Sequence, residues 1–299
     1  MTNRLPRRRI DGVLLFHKPA GISSNGALQQ VKRLFSAERA GHTGTLDPMA
    51  SGLLPICFGE ATKFAAELLD SEKRYRARVR LGERTDTGDA EGTVIERRQA
   101  RVSRAQVIEA LTRFRGDIEQ VPPMYSAIKH QGRPLYDYAR KGKEIERKPR
   151  LVRISAIELC GFEAGEALVE LTCSKGTYVR VLAEDLGEAL GCGAHLSGLV
   201  RTGVGQLRLE QAHTFEELAE SDAGERCAWL LPVDSLLGNR PAITLADPLA
   251  LRFTHGQVIQ CGTAQAGRVR VYGPGEMFLG VATVETPGIV RPQRLMRQD

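Results

Sequence analysis

The sequence predicts an α+β protein, with a mixed, largely antiparallel sheet flanked by helices and a small β-rich domain at the C-terminal end. Three observations point there. Residues 74–81 alternate, with Arg74, Arg76, Arg78 and Arg80 on one face and Tyr75, Ala77, Val79 and Leu81 on the other, the period of a half-buried strand. Apolar residues recur at helical spacing over 24–35, 103–116 and 178–190. After a break at Gly238-Asn239-Arg240-Pro241 the chain becomes Gly-rich, with short β segments at 269–272 and 277–281.

Taken in order, residues 12–16 form a short buried strand ended by His17-Lys18-Pro19-Ala20-Gly21. Ser24 is the expected N-cap of a helix carrying Leu28, Val31, Leu34 and Phe35. A strand over 53–58 and a helix over 60–69 follow. Ser103-x-x-Gln106 is a capping box, opening a helix that Gly116 closes. From 121 to about 153 the chain is irregular and basic. It reads as an inserted loop or hairpin that meets a polyanion, against the plainer reading of a solvated excursion. Strands return at 151–159 and 167–173. A turn at Ser174-Lys175-Gly176 leads into a helix with Tyr178, Leu182, Leu186 and Leu190, stopped by Gly191. Two domains are expected, 1–238 and 241–299.

Composition narrows the function classes. At 42% hydrophobic and 26% charged over 299 residues, the chain can build a sizeable core. The net charge of +6 favours a polyanionic partner only mildly. The six cysteines match no zinc spacing and read as buried reduced thiols, and the six histidines are scattered, so no transition metal is expected. Residues 1–9 form a basic arm, read as a frayed terminus or as a contact to nucleic acid. With no signal peptide and no apolar run of membrane-spanning length, a cytoplasmic protein is expected.

The loop 41–52 carries the chemistry. Gly41 and Gly44 permit tight turns, and Pro48 pushes Asp47 into an extended conformation. A carboxylate is thus presented on a rigid loop, with His42 five residues earlier. Its bland alternative is an Asp capping a turn. No Gly-Lys-Ser/Thr follows, so the loop is not a Walker phosphate cradle. A lone carboxylate without metal ligands can still act as nucleophile or general base. Arg180 stands in the first turn of its helix, where a cation opposes the dipole; it is either solvent-exposed or the partner that keeps a carboxylate ionised. Tyr75 and Tyr178 are either core residues or platforms for a flipped base.

Several stretches together resemble the TruB-type pseudouridine synthases. They are GHTGTLDPMASGLLPICFGEATKF at 41–64, HKPAGISS at 17–24, GDIEQVPPMYSA at 116–127 and Gly132-x-x-x-Tyr136-x-x-Ala139-Arg140-x-Gly142. CSKGTYVRVLAEDLG at 173–187 and GCGAHLSGLVRTGVG at 191–205 complete the set. The resemblance implies a pseudouridine-synthase core that converts the T-loop uridine of transfer RNA, position 55, without a cofactor. It implies that Asp47 is catalytic, that His42 supports the flipped-out loop and that Tyr75 stacks on the target base. Tyr178 would line the pocket, Arg180 pair with the aspartate and Leu199 close the pocket, while Lys18 would have a structural and electrostatic role. The basic insertion, about 124–152, would clamp the T arm, and 241–299 resembles a small PUA-like domain. Met49, Ser51 and Val200 depart from the family pattern, the last where an arginine is usual. A monomer with tRNA as its partner is expected, docked in a basic cleft formed by the arginine strand, the insertion and the tail domain. The rivals are a non-catalytic RNA-binding protein, a metal-dependent phosphoesterase around His42 and Asp47, and a synthase aimed at another RNA.

Overall fold

The computed structural model describes residues 6–238, 240–262, 266–286 and 288–297. The chain opens with β1 (Gly12–Lys18), α1 (Ser24–Leu34), β2 (Ala40–His42) and β3 (Ser51–Phe58). Ser23, rather than Ser24, caps α1 by accepting from the Gly26 amide. Ser24 is buried and its hydroxyl is engaged with Leu46 instead. The helix expected over 60–69 breaks at Phe64 into a 3₁₀ turn (Gly59–Lys63) and the single turn α2 (Ala65–Leu69). Ala61 and Phe64 both bury in one cluster, and the tighter 3₁₀ pitch puts residues three apart on one side.

Next come β4 (Lys73–Leu81) and the hairpin β5 (Glu83–Thr85) and β6 (Val94–Arg97). Helix α3 (Arg104–Thr112) opens on the complete Ser103–Gln106 capping box. It ends before Gly116, which starts β7 (Gly116–Gln120) instead of closing the helix. The insertion holds β8 (Lys129–His130), β9 (Arg133–Pro134) and α4 (Leu135–Ala139). The long β10 (Arg150–Glu163) and β11 (Glu166–Cys173) precede α5 (Val179–Ala189), β12 (Ala194–Val204) and β13 (Leu207–Arg208). Short α6 (Phe215–Glu220) and α7 (Ala223–Ala228) follow.

The central sheet runs β1-β3-β12-β4-β11-β10-β7, with β2 added to β3 and β13 to β12. Every neighbouring pair is antiparallel except β12 and β3, which run parallel where Val200 faces Ser51 and Arg201 faces Gly52. One face of the sheet is covered by α1, α3, α5 and α6 over a continuous apolar core. Ala77, Val79 and Leu81 of β4 point into that core, so its arginines project from the opposite face. Each of the four has a partner. Arg76 pairs with Glu170 at 2.7 Å and Arg78 with Glu166 at 3.9 Å, while Arg74 and Arg80 donate to the carbonyls of Gly205 and Ala164.

The C-terminal β-rich domain contains β14 (Ala242–Thr244), α8 (Asp247–Thr254), β15 (Ile259–Gln260), β16 (Gly267–Tyr272), β17 (Phe278–Thr286) and β18 (Ile289–Leu295). Its strands order as β14-β16-β17-β18-β15 around an apolar cluster of its own. Val281 and Phe278 leave that cluster to pack with Phe64, Leu68 and Val204 of the larger unit.

Two further expectations need correcting. The cysteines are not all buried: Cys160 is exposed and Cys227 and Cys261 are half-buried, although none of the six is in a disulfide. Of the basic arm, residues 1–5 lie outside the described residues. Arg8 is no frayed end, since its amide donates to Ser36 O at 2.7 Å and its carbonyl accepts from Glu38 N at 3.0 Å.

Candidate active site

The loop between β2 and β3 is gripped from several sides. Gly44 adopts φ +88°, the left-handed region where glycine has no Cβ penalty. Lys18, fully buried, donates its Nζ hydrogens to Pro19 O at 2.8 Å, Ile22 O at 2.7 Å and Pro48 O at 3.4 Å. On the far side Arg201, 1% exposed, donates Nε to Leu53 O at 2.8 Å and Nη2 to Gly44 O at 3.1 Å. Backbone bonds from Thr43 N to Pro55 O and from Gly21 N to Pro48 O close the frame.

So held, Asp47 projects into a cavity of about 560 Å³ whose walls include Lys73, Tyr75, Tyr178, Arg180 and Leu199. Arg180 is 4% exposed, which rules out the solvent-exposed reading of this residue. Its Nε stands 3.0 Å from Asp47 Oδ2 and 3.5 Å from Asp89 Oδ2. Nη1 donates to Thr87 O at 3.2 Å and Nη2 to Tyr125 O at 2.7 Å. Two carboxylates and two carbonyls therefore offset the helix dipole that a cation at this position opposes. Tyr178 is the N-cap of α5, fixed through its backbone by Gln120, which accepts from the Tyr178 amide at 3.0 Å.

The electrostatics follow from burial. Desolvation pushes the Asp47 carboxyl above the ordinary range; Arg180 opposes the rise and Asp89 adds to it. Burial lowers the Lys18 ammonium to about 8, partly countered by the attraction of Asp47. Lys73 is likewise lowered by burial to about 8. The Tyr75 and Tyr178 hydroxyls are raised, chiefly by burial. Both therefore stay protonated at neutral pH and can donate.

The structure thus brings Asp47, Tyr75, Tyr178, Arg180 and Leu199 to one cavity. Lys18 lies behind the loop, where it braces the backbone. His42 closes β2 and is half-buried away from the cavity wall, its Nδ1 without a hydrogen-bond partner among the described residues; burial lowers its pKa. The arginine face of β4 lies on the other side of the sheet and contributes nothing to the walls, because Lys73 and Tyr75 are the strand residues that face the cavity. Asp89, Arg201 and Lys73 were not legible as site residues. Asp89 sits in the Asp86-Thr87-Gly88-Asp89 turn, 3% exposed, and accepts from Thr87 Oγ1 at 2.6 Å. Nothing in its local spacing ties it to Arg180. Among the described residues no group of three His, Cys, Asp or Glu side chains is placed to hold a metal, and no helix is long and apolar enough to cross a membrane.

Known proteins share this arrangement of chain. Residues 32–179 match the family model for the N-terminal domain of TruB family pseudouridylate synthases. Residues 180–238 match the tRNA pseudouridylate synthase B C-terminal domain, and 241–296 the C-terminal model of pseudouridine synthase II TruB. The chain is 54% identical over 299 residues to the tRNA pseudouridine synthase B of Burkholderia lata, covering 98% of this chain and 92% of that protein. It is 53% identical over 290 residues to the same-named protein of Thiobacillus denitrificans, covering 97% of each. Among solved structures, a Cbf5-Nop10-Gar1 complex superposes with a TM-score of 0.74 at 25% identity, over 95% of this chain and 84% of that one. A chain of an H/ACA RNP bound to a substrate RNA containing 2'-deoxyuridine shares the fold, with a TM-score of 0.72 at 22% identity over 99% and 93%. A gripped carboxylate loop, a buried arginine and two tyrosines around one cavity are therefore set in a chain that belongs to the TruB family of pseudouridylate synthases.

Proposed function

We propose that the protein converts uridine-55 in the T loop of tRNA to pseudouridine, with Asp47 as its catalytic residue and without metal or cofactor. The observation that carries this reading is the Asp47–Arg180 pair at 3.0 Å, set in a cavity of about 560 Å³ whose walls include Tyr75 and Tyr178. The uridine leaves its stack, at a cost of a few kcal/mol that is least in a loop already partly unstacked. Tyr75 stacks on the uracil, Tyr178 lines the pocket and Leu199 closes it. Arg180 counters the burial that would protonate Asp47, so that the carboxylate meets the nucleoside ionised. The bond between N1 and the ribose carbon breaks, the uracil turns, and a bond forms from C5 to the same carbon. C5 loses its proton and N1 gains one, so the reaction is a redox-neutral isomerisation.

Lys18 and His42 support this constellation from behind, Lys18 through the loop carbonyls and His42 at the end of β2. The insertion, about 124–152, clamps the T arm, and the PUA-like domain, 241–299, extends the RNA surface of the catalytic domain, 1–238. Phosphate contacts set the register while loop shape and stacking set specificity. The protein acts as a monomer in the cytoplasm.

The test uses T-arm RNA tritiated at uridine C5, counting label released to water with EDTA present. Wild-type protein is expected to release one label per RNA and Asp47→Ala none. Release by Asp47→Ala at the wild-type rate would remove Asp47 from the chemistry. Tight RNA binding by the wild type with no release would sink the T-loop assignment.

A further inference from the structure

Glu67 is the acidic residue of α2, and its side chain is 8% exposed. A carboxylate so desolvated must be paired. One partner, Arg240, lies in the 238–241 break and the other, Arg268, beyond it. Arg240 Nη2 lies 2.8 Å from Oε2 and Arg268 Nη2 2.6 Å from Oε1. Arg240 is tied in turn to the C-terminal sheet, its carbonyl accepting from Arg270 Nε at 3.0 Å. Beside this latch the Phe64 ring meets Phe278 edge-on, centroids 5.5 Å apart.

The other end of α2 belongs to the cavity. Leu69, its last residue, is part of the wall. The carbonyls of Leu69 and Ser71 both accept from Lys73 Nζ, a second wall residue two positions before Tyr75 on β4. A helix of five residues does not hold its own position; its tertiary contacts do. The described contacts thus form one continuous chain from Arg268 and Arg240 through Glu67, α2, Leu69 and Lys73 to the strand that carries Tyr75.

We propose that Glu67 is a positioning residue, through which the C-terminal domain sets the wall of the uridine cavity. The proposal rests on the functional reading above. Loosening the latch lets Leu69 and Lys73 shift, which weakens contacts made equally to bound substrate and transition state and so raises KM more than it lowers kcat.

Tritium release from the T-arm stem-loop, which leaves out the rest of the tRNA, is the assay, with Glu67→Gln, Arg268→Gln and the double variant. Glu67→Gln is expected to raise KM roughly fivefold or more, the scale of typical coupling between sites, with kcat held within about twofold. Arg268→Gln should act in the same direction. The double variant should do no more than Glu67→Gln alone, because the two remove one linkage. Arg268→Lys, which keeps the charge, should recover most of the loss. Wild-type KM in both single variants overturns the proposal, and so does a fall in kcat with unchanged KM. Should Glu67→Gln fail to fold, Arg268→Gln carries the test, its side chain being 41% exposed. Filter binding of the same RNA should rank the variants in the same order even if the wild type released no label. Failure of the reaction and failure of the coupling are therefore separate results.

Discussion

The Ser24 hydroxyl donates to the Leu46 carbonyl at 2.8 Å and accepts from the Leu46 amide at 2.8 Å, so one side chain holds both backbone groups of the residue before Asp47. Ser24→Ala leaves these groups without that partner in a buried place. The expected loss is about 1–3 kcal/mol in urea unfolding, the usual penalty for orphaned buried polar groups. Because the loop presents Asp47, kcat should also fall, by up to roughly a hundredfold, the scale set by a misplacement of about 1 Å. Wild-type kcat in a destabilised Ser24→Ala would show that the bond serves folding alone.

The pH profile tests the carboxylate pair. Activity that needs ionised Asp47 is lost as pH falls through its folded pKa, which burial has raised. The acid limb of kcat/KM should therefore lie above the range of an ordinary aspartate. Asp89 contributes to the rise by repulsion, so Asp89→Asn should move that limb to lower pH. A limb that stays or moves up in Asp89→Asn would contradict this account.

Lys73 gives a stability signature at alkaline pH. Its folded pKa is lowered by burial from 10.5 to about 8. Below pH 8 both folded and unfolded chains carry the proton, and the folded state bears the cost of a buried ammonium. Between about 8 and 10.5 the unfolded chain binds more protons, so stability rises with pH, with a limiting slope of about 1.4 kcal/mol per unit. Urea titrations at two alkaline pH values should show the wild type gaining on Lys73→Met as pH rises. A constant difference between the two would refute the shift.

Gly52 marks the parallel junction of the sheet. It adopts φ +109°, and a Cβ built there would lie 2.4 Å from Arg201 O and 2.6 Å from Arg201 N. Neither backbone atom can yield without parting β3 from β12. Gly52→Ala should cost at least about 3 kcal/mol, combining strain and overpacking, seen as a lower urea midpoint with an unchanged slope.

Local features were legible in the sequence and distant ones were not. The β4 alternation, the Ser103–Gln106 box and the rigid loop that presents Asp47 each follow from residues within a few positions of one another. Arg180 showed itself through an awkward place at a helix N-terminus. Asp89 and Arg201 gave no such sign, since what defines them lies 91 residues away in Arg180 and about 150 away in Leu53 and Gly44. The arginine face was read correctly as a face of a strand, but period two cannot say on which side of the sheet a cavity will open. The break at Phe64 was likewise not legible, since the ring there packs against Phe278 some two hundred residues later.

The grip of Arg201 on Gly44 and Leu53 has a consequence for biosynthesis. The Asp47 loop emerges from the ribosome early, yet the guanidinium that holds its carbonyls follows after about two-thirds of the chain has been made. The parallel β3–β12 pairing waits on the same segment. A nascent chain therefore carries its carboxylate loop braced by Lys18 but without the Arg201 side of its frame. The enzyme becomes competent only late in its own translation.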